Sequence, residues 1–156
     1  MQILSQSVRQ TLYIGKRLSR HLRKGDILCL CGGLGSGKTV LVKGIAQGLG
    51  VAKNRITSPS FVLLRQYHRA RLPLYHFDLY RLKALKDIAY LGYHEYLYGE
   101  GVSVIEWAER LGRLLPAEYL GVELSVKGNR RRLLKFKACG RHYQELLAKI
   151  NENLRP

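Results

Sequence analysis

The run Gly32-Gly33-Leu34-Gly35-Ser36-Gly37-Lys38-Thr39 fits the pattern G-x-x-x-x-G-K-[ST], whose residue types and spacing suit it to hold a polyphosphate. Glycines let successive backbone N–H groups turn inward on a phosphate chain, so the amides of Gly33, Leu34, Gly35, Ser36, Gly37, Lys38, Thr39 and Val40 form the expected cradle. The Lys38 ammonium then reaches the β and γ phosphates, and the Thr39 hydroxyl ligates Mg²⁺. Such a loop works only between a strand and a helix. Asp26 to Cys31 is a near-continuous apolar run of the kind a strand buried on both faces shows, and Val42, Ile45, Ala46 and Leu49 recur at helical spacing after the loop, with Gly50 as the stop. A chance glycine-rich turn would lack both flanks.

A site that holds Mg²⁺ and a triphosphate also needs carboxylates at the end of a neighbouring apolar strand. Two fit: Asp78, which ends Leu74-Tyr75-His76-Phe77, and Glu106, which ends Val102-Ser103-Val104-Ile105. Both lie at the strand edge where open α/β sheets bind ligands. Lys38, Asp78 and Glu106 form the expected catalytic set, with Thr39, Glu106 and Asp78 around the metal. One acid fixes the metal and the other orients or activates the attacking water, and spacing alone leaves the assignment of the two roles open. His76, inside the apolar run, reads as a satisfied core histidine rather than a proton carrier. Trp107 reads equally as core packing or as a reporter beside the metal ligand. No N-K-x-D, no D-x-x-G in a switch position and no L-S-G-G-Q occurs, which argues against a regulatory GTPase or a transporter ATPase.

The elements that must position these groups fit one α/β domain spanning residues 1–156. Ser7 to Leu22 places Val8, Leu12, Ile14, Leu18 and Leu22 on one helical arc and Arg9, Lys16, Arg17 and Arg20 on the other. Residues 61–67 and 74–80 read as an antiparallel strand pair, 83–98 as mixed helix, 102–107 as a buried strand, and 119–126 with 132–138 as a hairpin. Residues 144–154 close as a helix. Parallel and antiparallel segments together predict a P-loop NTPase with a mixed central sheet flanked by helices. Gly44 and Gly48 sit four apart on the helix after the loop, where missing side chains allow close approach by a neighbour.

With 27 Lys+Arg against 11 Asp+Glu the formal charge is +16, enough to attract polyanions and to make nucleic-acid binding salt-sensitive. No apolar run approaches the roughly 20 residues of a membrane span, and the N-terminus lacks a secretory pattern, so a cytoplasmic protein is expected. The three cysteines, Cys29, Cys31 and Cys139, suit small buried positions rather than a disulfide framework.

Together, GGLGSGKT, the SPSF segment at 58–61, His76-Phe77-Asp78-Leu79-Tyr80-Arg81 and Glu106-Trp107 resemble the bacterial TsaE (YjeE) family of small ATPases in tRNA threonylcarbamoyladenosine biosynthesis. Order and spacing match from about residue 3 to 140. The resemblance implies binding and slow hydrolysis of ATP with Mg²⁺, in a complex with TsaD and TsaB, which attach the threonylcarbamoyl group to ANN-decoding tRNAs. It implies that SPSF is a switch-like loop near the γ-phosphate and that part of the base pocket lies near Ser7 and Val8. It also implies a nucleotide contact from a late-hairpin arginine, matched best by Arg130, with Asn129, Arg131 and Arg132 within one or two residues. The acid-free cluster Lys127, Arg130, Arg131, Arg132, Lys135 and Lys137 is either a solvated hairpin or a tRNA contact. Two competing classes remain: a P-loop kinase of a small metabolite or nucleotide, and a nucleic-acid-binding module whose loop is only structural.

Overall fold

The computed structural model describes residues 1–57 and 62–154, so the SPSF segment at 58–61 lies outside the described residues. Five helices flank a seven-stranded mixed sheet among the described residues. In chain order the strands are β1 (Gln2–Ser5), β2 (Ile27–Cys31), β3 (Leu64–Tyr67), β4 (Leu74–Asp78), β5 (Val102–Glu106), β6 (Tyr119–Val126) and β7 (Arg132–Cys139). The helices are α1 (Val8–Ser19), α2 (Lys38–Leu49), α3 (Leu85–Tyr90), α4 (Tyr93–Leu97) and α5 (Arg141–Leu154). The sheet order is β1-β7-β6-β2-β5-β4-β3. β4, β5, β2 and β6 run parallel to their neighbours at the centre, and β3, β7 and β1 add antiparallel pairs toward the edges.

The period-two alternation of the strands sorts their side chains into two cores. Leu28 and Leu30 of β2, Leu74 of β4 and Val102 and Val104 of β5 face the layer of α1, α2 and α5. Ile27, Cys29, Phe77 and Ile105 face α3, α4 and the short helical turns at Ala108–Leu114. The same parity puts His76, Asp78 and Glu106 on the α2 side, at the sheet edge from which α2 departs.

α1 starts where Ser7 caps it, its side chain accepting from the Gln10 amide at 3.1 Å, and α2 ends at Gly50 in the left-handed conformation (φ 97°). The two helices approach closely because small residues face each other. A Cβ at Gly44 would collide with the Leu12 carbonyl, and one at Gly48 with the Ser19 hydroxyl. The Gly44→Ala substitution is therefore expected to destabilise the fold by about 1–3 kcal/mol despite alanine's better helix propensity. Thermal unfolding should report it as a midpoint lowered by at least about 3 °C.

Several elements differ from the sequence-based expectation, among them α1, which ends at Ser19 rather than Leu22. β1 was not anticipated; its short edge segment gains strand character only by pairing with β7, Ile3 opposite Leu134. β3 starts at Leu64 rather than residue 61, and Leu63 takes a positive φ of 59° just before it. β4 stops at Asp78 rather than running to residue 80: after a last cross-strand bond from Leu79 N–H to the Glu106 carbonyl, Tyr80 N–H donates to the Asp78 carboxylate at 3.0 Å and Leu82 N–H to the Leu79 carbonyl at 3.1 Å, which turns the chain away. α5 begins at Arg141, three residues early, because left-handed Gly140 (φ 96°) breaks the strand and accepts from the Gln144 amide. All three cysteines are free, Cys29 buried and Cys31 and Cys139 half-buried. Among the described residues no helix is long and apolar enough to cross a membrane.

Candidate functional site

The glycine-rich loop connects β2 directly to α2, so its geometry is fixed by a buried strand on one side and a helix N-terminus on the other. Gly32 and Gly37 adopt φ of 138° and 103°, values that L side chains resist, and a Cβ at Gly32 would collide with the Leu124 carbonyl of β6. The loop therefore wraps as a tight backbone turn against the sheet, with the first amides of α2 opening onto its concave side.

Lys38 is only 5% exposed. Its ammonium donates to the Gly32 carbonyl at 2.5 Å, the Gly33 carbonyl at 3.0 Å and the Ser36 hydroxyl at 3.4 Å, and lies 3.9 Å from the centre of the Trp107 ring. Burial lowers its pKa from the usual lysine value, and the nearby Glu106, Glu109 and Asp78 charges oppose that shift. The cation is thus held inside the loop by neutral carbonyls and an aromatic face, weak partners beside a phosphate oxygen.

β4 and β5 pair in parallel with Asp78 directly opposite Glu106, so two acids from separate strands arrive side by side at the loop. Glu106 is 1% exposed and accepts from the Thr39 hydroxyl through Oε2 at 2.9 Å. Its other oxygen, Oε1, lies 2.7 Å from His76 Nε2, and His76 is equally buried. His76 Nδ1 has no hydrogen-bond partner among the described residues. With Nε2 as the donor, the histidine fixes the rotamer of the carboxylate that touches Thr39. Asp78 accepts from the Tyr80 amide at 3.0 Å through Oδ1.

These groups fit a hard cation. Among the described residues no group of three or more His, Cys, Asp and Glu side chains gathers into a self-sufficient metal cage. A hydroxyl and two carboxylates beside a phosphate cradle are instead the donor set Mg²⁺ takes when phosphate and water complete its shell. Thr39, hydrogen-bonded to Glu106, and Asp78, opposite Glu106 in register, are the residues that could contribute to such a shell.

Trp107 follows Glu106 in a left-handed conformation (φ 58°), a costly backbone for a bulky residue that turns the indole over Lys38. Tyr80 packs against the indole at 5.0 Å, and the Arg110 guanidinium lies 5.7 Å from each ring. Trp107 is the chain's single tryptophan. Its emission is expected to change when nucleotide is added, because phosphate draws the Lys38 ammonium off the ring. A fluorescence titration that ends with an unaltered spectrum would contradict this coupling.

Beside the loop, Ser7, Val8, Gly35, Gly37, Val40 and Arg130 contribute to a cleft of about 360 Å³, within the range of small-molecule sites. Asn129 and Arg132 line it as well. The arginine that touches the loop is Arg132, whose guanidinium donates to the Gly35 carbonyl at 3.3 Å, while Arg130 is exposed at the cleft's rim. Sequence reading favours Arg130 and holds Arg132 as a neighbouring alternative, and it misses His76 as the partner of Glu106. The role of His76 is legible in principle, since residues 76 and 78 of β4 share a face with 104 and 106 of β5 once the two strands pair in register.

Comparison with known proteins gives concordant matches. Residues 5–134 match the family model described as threonylcarbamoyl adenosine biosynthesis protein TsaE. The chain is 46% identical over 132 residues to the tRNA threonylcarbamoyladenosine biosynthesis protein TsaE of Treponema pallidum, covering 83% of this chain and 96% of that protein. It is 36% identical over 144 residues to the protein of the same name from Bacillus subtilis, covering 92% of this chain and 89% of that one. The crystal structure of Bacillus subtilis YdiB superposes with a TM-score of 0.82 at 33% identity, covering 99% of this chain and 96% of that one.

Proposed function

This chain belongs to the TsaE family, and on that premise we propose that it binds ATP with Mg²⁺ and hydrolyses it slowly to ADP and phosphate for the complex that forms threonylcarbamoyladenosine in tRNA. TsaD and TsaB are its partners in this reading, and the cytoplasm its compartment. The group transfer to tRNA is theirs. The observation that carries the reading is the meeting of Thr39, Glu106 and Asp78 at the mouth of the Gly32–Thr39 loop, with Lys38 inside it.

Phosphoryl transfer passes through a loose transition state and asks mainly for positioning and charge neutralisation. When bound, Mg²⁺ would be held by Thr39 and Glu106 and would supply positive charge against the negative charge that develops on the phosphates. The loop amides and Lys38 neutralise the rest of the triphosphate charge. Thr39 and Glu106 fix the metal, and His76 holds Glu106 in the orientation that serves it. Asp78, anchored through the Tyr80 amide, orients the attacking water or takes its proton. The cleft between Ser7, Val8 and the hairpin arginines, with Arg130 at its rim, receives the base and ribose.

The reading is tested by ATP turnover of the purified chain alone and with TsaD and TsaB. Expected are ADP and inorganic phosphate as the products, a low rate for the chain alone, and stimulation by the partners. A phosphorylated metabolite in place of free phosphate would make the protein a kinase and overturn the assignment.

A further inference from the structure

The positive charge is unevenly placed. From Met1 to Phe77 the sole acidic residue is Asp26, and it is buried against His142 at 2.6 Å. Lysines and arginines recur throughout the same stretch, which folds into α1, α2 and the β3–β4 edge. Outside the loop site, Asp87, Glu95 and Glu109 lie on the opposite layer and Glu123 on the sheet face turned toward it, while Glu100 pairs with Lys24 at 3.1 Å and Glu152 of α5 is exposed. On α5, which shares the α1 and α2 layer, Glu145 is paired with Arg141.

One part of this basic side is concave. The chain after α2 and the edge strand β3 enclose a cleft of about 700 Å³, lined among others by Asn54, Arg55, Arg65, Gln66, Tyr67 and Arg69, and among the described residues no carboxylate lines it. Arg55, Arg65 and Arg69 are exposed, and none of them forms an ion pair among the described residues. The Tyr67 hydroxyl exchanges hydrogen bonds with the Thr57 backbone at 3.0 and 3.2 Å, which pins one wall to the other. Arg71 ties the same hairpin to the helices: its guanidinium donates to the Ser19 and Leu22 carbonyls at 2.7 and 3.2 Å, and its amide to Leu49. The cleft is therefore a braced feature that adjoins the last turn of α1, where Lys16 and Arg20 are exposed. A second depression on this side, between α1 and Gln47 of α2, is lined by Arg9 and Lys16 and again by no acid.

We infer that the α1, α2 and β3 side is an RNA-docking surface, with Arg55, Arg65 and Arg69 gripping phosphates of a folded RNA in the cleft. Three forked guanidiniums match phosphate geometry, and the Asn54 and Gln66 amides supply donors and acceptors for riboses or base edges. The location rests on charge and shape alone. The choice of RNA among polyanions rests on the tRNA-modification role proposed above.

The test is anisotropy of a labelled, unmodified tRNA transcript titrated with the full chain across a salt series. The proteins compared are wild type, the triple variant R55Q/R65Q/R69Q and the variant K135Q/K137Q, whose lysines line the opposite sheet face. The triple variant is expected to lose on the order of 30-fold in affinity at low salt and to flatten the log–log salt slope by about 2–3, as removal of that many phosphate contacts requires. K135Q/K137Q should stay within about threefold of wild type. ATP affinity, measured on the same samples, should be unchanged in both, which controls for folding and separates this inference from the nucleotide reading. Unaltered tRNA binding by the triple variant, equal losses in both variants, or binding of phosphatidylserine vesicles without binding of tRNA would each overturn it.

Discussion

The Lys38→Ala variant is expected to bind ATP roughly 10²–10³-fold more weakly than the wild type while remaining folded. Hydrogen bonds to charged groups contribute about 1.5–3 kcal/mol each, and the ammonium leaves two loop carbonyls to make at least two such bonds to phosphate oxygens. A loss of about 3–4 kcal/mol is two to three decades in dissociation constant. The fold should survive, because Gly32 is half-buried and Gly33 exposed, so water can take the place of the ammonium at their carbonyls. Trp107 supplies a second readout: with the cation gone from its ring, its emission should differ from wild type before any nucleotide is added. Calorimetric titration decides the matter, and an affinity within a few-fold of wild type would remove Lys38 from the phosphate site.

Glu106→Gln should separate binding from turnover. The amide keeps the shape of the carboxylate and an oxygen for His76 Nε2 to donate to, while the charge is lost. ATP hydrolysis is expected to fall by about 10²–10³-fold, with nucleotide affinity changing by less than about tenfold. Alanine at the same position is a poorer probe, since it would leave His76 buried with neither ring nitrogen partnered, at a cost of about 1–3 kcal/mol in stability. Asp78→Asn, run in parallel, assigns the second acid. If Asp78 serves the water, turnover falls at an unchanged Mg²⁺ requirement; if it serves the metal, the Mg²⁺ concentration for half-maximal activity rises. Normal hydrolysis by Glu106→Gln would contradict the proposed metal site.

The chemistry legible in the sequence was the local chemistry. The glycine loop, its flanking strand and helix and the Gly50 stop are specified within one continuous stretch from Ile27 to Gly50, and they fold as those residues dictate. Asp78 and Glu106 could be placed at strand ends because each closes an apolar run. That they stand opposite each other depends on β4 and β5 pairing in parallel register, which no single run encodes. His76 looked like core for the same reason: its partner is thirty residues away on the next strand. Arg130 lies in the hairpin turn and Arg132 opens β7, and only the contact of Arg132 with the distant Gly35 carbonyl, which no local pattern encodes, distinguishes them. The left-handed turn at Trp107 carries no glycine or asparagine to announce it, so its indole could be assigned to the core or to the site with equal reason.

The most direct measurement is a crystal structure of this chain with Mg²⁺ and a non-hydrolysable ATP analogue. The account predicts the triphosphate inside the Gly32–Thr39 turn, with Lys38 swung from the Gly32 and Gly33 carbonyls onto the phosphates. It also predicts Mg²⁺ about 2.1 Å from the Thr39 hydroxyl oxygen, with Glu106 bound to it directly or through one water. A vacant turn, or a metal beyond the reach of both Glu106 and Asp78 through a single water, would contradict it.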